Sequence, residues 1–212
     1  LYLRGEDLGR CPLTNSFEVT VFVAWAVTLV YLIVGPAYRL SFLGAFTAPL
    51  VVALQAIALL ALDDAPGGVL MKQRSPWIEF HAAIAILSYG AFALGSVCSV
   101  MYLVQERQLK TRQLNRSFLL LPSLGQLEQI TLRLVILGLA MLSAGIAGGL
   151  VSYRDTGKAT MSKILLAGLV WVLYAALVGG RYGLAWRGRR VAWLSVFSFA
   201  VVLIALWSLG LA

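Results

Sequence analysis

Apolar residues dominate this chain in long runs separated by short stretches of charge, proline and glycine. Reading those runs against their punctuation predicts helices over about 17–35, 41–62, 78–105, 129–151, 162–181 and 191–211. Each run approaches the roughly 20 residues needed to cross hydrocarbon as a helix, the form in which a segment satisfies its own backbone hydrogen bonds. The expected fold class is therefore all-α: a polytopic integral membrane bundle of about six transmembrane helices, with residues 1–212 forming a single transmembrane domain. Only Pro49 is expected to interrupt a span. The longest connector, 106–128, carries Leu120, Leu121, Leu124 and Leu127, so part of it is expected to lie along the membrane surface. The sequence contains no internal repeat, low-complexity tract or soluble domain.

Composition strengthens this reading. Of 212 residues, 60% are hydrophobic and 12% charged, against about 25% charged in soluble domains. The mean hydropathy is +0.87. The net charge of +8 does not mark a nucleic-acid binder, because the basic residues sit between apolar runs instead of forming one basic domain. The connector 106–128 holds Arg107, Lys110, Arg112 and Arg116, and the connector 182–190 holds Arg187, Arg189 and Arg190. By the positive-inside rule both belong in the cytoplasm, which gives the inner side roughly ten basic and two acidic residues and leaves the outer side balanced. The expected setting is a bacterial cytoplasmic (inner) membrane with both ends of this sequence outside. Trp77 and Trp207 then fall near outer helix ends, and Trp186 and Trp193 near inner ones, where amphipathic rings anchor at the interface. The sequence opens Leu1-Tyr2-Leu3-Arg4 without Met, and a preceding helix is expected.

Few residues could carry chemistry. Cys11 and Cys98 form no CxxC pair, and one of them lies deep in an apolar run, so a disulfide or redox pair is not expected. Walker-type glycines are absent, and a Ser/His/Asp constellation or H-E-x-x-H zinc motif is not found in a chain with one histidine. A hydrolytic or nucleotide-driven enzyme is not expected, and a small-molecule transporter is the weakest alternative. That histidine, His81, lies about one turn into the span 78–105, with Ala85, Ser88, Gly95 and Ser99 on nearly the same helical stripe. A weakly polar stripe of this kind meets another helix or a cavity, and an ionisable residue at membrane depth is a candidate functional residue. Two readings of His81 stay open: a hydrogen bond to a neighbouring helix or snorkelling to headgroups, and an axial ligand to haem iron. Glu18 and Glu79 read as helix N-terminal or solvated carboxylates. Ala144, Gly145, Gly148 and Gly149 create small-xxx-small spacings that read as helix packing. The concentration of charge on the inner face suits either topology alone or a scaffold recruiting a partner through its basic connectors.

Four segments taken in order resemble the CcsA family of cytochrome c assembly proteins and its HemX- and YpjD-type relatives. Pro12-Leu13-Thr14-Asn15-Ser16-Phe17-Glu18, followed by Phe22-Val23-Ala24-Trp25, is similar to that family's P-L-[ST]-N-x-[YF]-E and F-L-[AS]-W. His81 with Leu87-Ser88-Tyr89-Gly90-Ala91 and Gly95-Ser96 resembles its H-x-x-x-x-x-L-x-Y-A helix. Leu127-Glu128-Gln129-Ile130-Thr131-Leu132-Arg133, ahead of Gly145-Ile146-Ala147-Gly148-Gly149, resembles L-[DE]-x-L-x-x-R before a glycine-rich helix. Trp186-Arg187-Gly188-Arg189-Arg190 resembles G-W-R-G-[KR]. The resemblance implies a haem-handling membrane protein, an accessory or haem-binding component of cytochrome c maturation, with His81 in the place of an outward-facing axial ligand to haem iron. It also implies other assembly or haem-synthesis proteins as partners. Haem-delivering members carry a tryptophan-rich loop where this sequence has Ser152-Tyr153-Arg154-Asp155-Thr156-Gly157-Lys158. The HemX- and YpjD-type relatives similarly lack that loop, and for HemX-like proteins the implied role is control of haem synthesis through the abundance of glutamyl-tRNA reductase.

Overall fold

A computed structural model describes residues 16–37, 43–60, 76–111, 122–156 and 161–210, and every regular element among them is an α-helix. They are α1 (Ser16–Ala37), α2 (Leu43–Leu60), α3 (Pro76–Lys110), α4 (Leu124–Thr156), α5 (Met161–Gly183) and α6 (Arg189–Gly210). All six are long and apolar enough to cross a membrane. One helix lies in the region of each expected span.

Two helices, α3 and α4, run well past their expected ends, whereas α2, Leu43–Leu60, lies within its expected 41–62. Beyond residue 105, α3 adds Glu106, Arg107 and Lys110, with Lys110 Nζ 2.6 Å from Glu106 Oε1 across one turn. Leu124 and Leu127 belong to α4 instead of a surface-lying connector, and Leu127 is fully buried. The helix starts there because the Ser123 hydroxyl accepts the Gln126 N–H at 3.3 Å, capping an N–H that lacks an intrahelical acceptor. Leu120 and Leu121 lie outside the described residues. At the other end, α4 runs to Thr156, so Ser152–Thr156 is helical backbone and not loop. Besides Pro49, Pro36 also lies within a helix, in the last turn of α1.

The central helix is α3, which packs against α1, α2, α4 and α6. Of its best apolar window 72% is buried, compared with 22–39% for the other five. Around it, α1, α2, α5 and α6 turn Leu32, Ile33, Val52, Leu165, Val172, Phe197 and Ile204 outward, an apolar exterior that suits lipid. Missing side chains set the close approaches. A Cβ on Gly90 would come within 2.8 Å of the Ala26 backbone carbon, so α1 and α3 meet backbone to backbone. Gly138 of α4 makes room for the Phe92 ring, which stacks on Tyr174 of α5 at 3.7 Å between centroids. Between α4 and α5, Arg181 Nε lies 3.3 Å from Glu128 Oε1, a charge contact outside hydrogen-bond geometry.

Candidate functional site

The first turns of α3 carry His81 against the glycine-rich end of α4. Gly145 faces Ala85, with a built Cβ 3.2 Å from that residue's Cβ, and Gly148 faces the His81 Cβ at 3.4 Å. Gly149 lies under the imidazole itself: a Cβ there would sit 2.8 Å from Cε1, 3.1 Å from Nε2 and 3.3 Å from Nδ1. Only a bare Cα leaves the ring that space. The ring uses it to hydrogen-bond through Nδ1 to the Gly145 carbonyl oxygen. A carbonyl cannot donate, so Nδ1 carries the proton in this bond. In the neutral ring the lone pair then resides on Nε2, the state required of an imidazole that binds a metal while its other nitrogen is held by a backbone carbonyl.

The rest of the stripe below His81 meets α4 directly. Ser88 and Ser99 are fully buried, and their hydroxyls donate within α3 to the carbonyls of Ala85 (2.6 Å) and Gly95 (2.9 Å). Gly95 receives a cross-helix contact from the Thr131 hydroxyl of α4 at 3.4 Å. These hydroxyls are thus satisfied by backbone.

Other sequence candidates scatter. Glu18 lies in the first turn of α1, as its reading as a dipole partner required, but it is buried instead of solvated. Glu79 is on the first turn of α3, where its side chain is not among those described. Ala144 is exposed and takes no part in the glycine seam. Cys98 is a buried free thiol and Cys11 lies outside the described residues. Among the described residues no group of three His, Cys, Asp or Glu could hold a metal ion. Trp193 is exposed and Trp186 partly buried, while the side chains of Trp77 and Trp207 fall outside the description. The sequence reading assigned Gly145 and Gly149 to packing alone. The signal that could have revealed their second role is their place opposite the only histidine.

Comparison with known proteins places this chain in a family. Residues 13–212 match the family model described as cytochrome C assembly protein. The chain is 30% identical to a cytochrome c biogenesis protein CcsA of Synechococcus sp. (strain CC9902), over 95% of this chain and 75% of that one. It is 28% identical to the protein of that name from Chlamydomonas reinhardtii, covering 95% of this chain and 59% of the relative, and 26% identical to that of Prochlorococcus marinus (strain MIT 9301), covering 96% and 74%. With a match that runs through all six helices, the chain belongs to the cytochrome c assembly protein family.

Proposed function

We propose that this protein handles haem for cytochrome c assembly in a bacterial cytoplasmic membrane, holding it at the outer end of α3 through Nε2 of His81. The observation that carries this reading is the Nδ1 bond to the Gly145 carbonyl, which leaves Nε2 with the lone pair that iron requires. Haem is here the cargo, and the iron supplies the Lewis-acid centre for that nitrogen. The protein's own contribution is to hold the imidazole in one tautomer and one orientation. The exposed Phe80 beside His81 gives a flat macrocycle an apolar neighbour at the same end. Membership of the cytochrome c assembly family favours this role over a regulator of haem synthesis.

The test is the absorbance spectrum of purified protein titrated with haem. The intact chain is expected to develop a Soret band shifted from that of free haem, and His81→Ala to lose the shift while keeping its helical circular dichroism. A spectrum unchanged by that substitution would remove His81 from the site.

A further inference from the structure

We propose that the turn between α5 and α6 is a binding site for the headgroup of an anionic phospholipid. α5 ends at Gly183 and α6 begins at Arg189. Both helices are of membrane-crossing length, so the residues joining them lie at the level of lipid headgroups. The turn is well fixed. The Gly180 carbonyl accepts the N–H groups of Leu184 (3.1 Å) and Trp186 (3.0 Å), the Trp186 indole lies flat on Gly180, and Gly188 abuts the Tyr102 hydroxyl of α3. Ala185 and Gly188 hold left-handed φ values of 52° and 58°, which bring the chain sharply round.

The result is an open concavity of about 950 Å³ whose lining includes Arg187, Arg189, Arg190, Trp186, Trp193 and Leu184. Three guanidinium groups gather there at the positive end of the α6 dipole, and no acidic residue occupies the first turn of that helix. Two other basic residues are paired, Lys110 with Glu106 and Arg181 with Glu128. Among the described residues no ion pair engages the three arginines of the turn. An arrangement that only set topology would need no shared concavity. Guanidinium forks match phosphate oxygens bidentately. Leu184 and Trp193, both more than half exposed, flank the same space with apolar surface that a free anion would leave unused. A phospholipid supplies both halves, phosphate to the arginines and glycerol with the first acyl carbons to Leu184 and Trp193.

The experiment measures the thermal midpoint of protein in neutral detergent micelles during titration with phosphatidylglycerol, phosphatidylcholine or inorganic phosphate. Ligand that binds only the folded state raises the midpoint. Phosphatidylglycerol is expected to raise that of the intact chain, and the other two at equal concentration are not. The variant R187Q/R189Q/R190Q is expected to need roughly 100-fold more phosphatidylglycerol for the same rise, and R189Q or R190Q alone about fivefold more. The single variants decide the matter should the triple one not fold. R107Q/K110Q is expected to behave as the intact chain. An unaltered response in the arginine variants would overturn the proposal, as would an equal loss in R107Q/K110Q, which would make the effect one of general surface charge. A full shift with inorganic phosphate would make the site one for a soluble anion and not for lipid.

Discussion

At the scale of single residues, the atom that matters most beside His81 is one that Gly149 does not have. A methyl group there would lie 2.8 Å from Cε1, so the imidazole has to rotate away and give up the Gly145 carbonyl. Gly149→Ala is expected to weaken haem binding by roughly 10–100-fold, the usual cost of removing a partner that orients a metal ligand. Nitrogen NMR of the haem-free protein supplies a readout that does not depend on haem: the intact chain shows the proton on Nδ1, and the variant loses that signature. Unchanged affinity and an unchanged nitrogen signal would together show that the glycine only packs. His81 itself was legible in the sequence as a single ionisable residue at the head of a small, weakly polar stripe. Its acceptor was not, because a main-chain carbonyl belongs to every residue and residue type does not encode which one is reached. The sequence can show only where a side chain is absent.

At the scale of helices, the seams divide glycines into two kinds. Gly90 faces the backbone of Ala26, which has no rotamer with which to yield, whereas Gly168 on α5 has nothing within 4 Å of a built Cβ. Gly90→Ala is expected to push α1 from α3 and cost about 1–3 kcal/mol, the range for overpacking a close contact. Gly168→Ala should gain up to about 1 kcal/mol by restricting the backbone of a helix interior. Unfolding in a denaturing detergent, followed by circular dichroism, compares the two, and equal effects would refute a backbone-to-backbone seam. The six spans were legible because lipid requires unbroken apolar runs of known length. Their ends were less so. Charged turns such as Glu106–Lys110 continue a helix beyond hydrocarbon, and hydropathy is blind to that continuation, as it is to the cap by which Ser123 starts α4 inside a supposed connector.

At the scale of the whole molecule, α3 separates the two proposed sites by about the thickness of a bilayer's hydrocarbon core. His81 sits at one end, and Tyr102, which abuts Gly188 in the arginine-rich turn, sits near the other. Their spacing along the helix corresponds to about 30 Å at a rise of about 1.5 Å per residue, which is also the thickness of the hydrocarbon core. We propose that His81 and the turn face opposite sides of the membrane, with the turn on the inner one, where the positive-inside rule puts an excess of arginine. Two chains with one introduced cysteine each test this, one with cysteine at the exposed position of Phe80 and the other at the exposed position of Arg187, both with Cys11→Ser. Cys98 can remain, since its buried sulfur is shielded from reagent. A membrane-impermeant maleimide added to intact spheroplasts is expected to label the cysteine at position 80, and to reach the one at position 187 only after the membrane is opened. The reverse pattern would invert the orientation and leave the separation standing. Labelling of both from the same side would contradict the separation itself, because no membrane-crossing α3 could then join them.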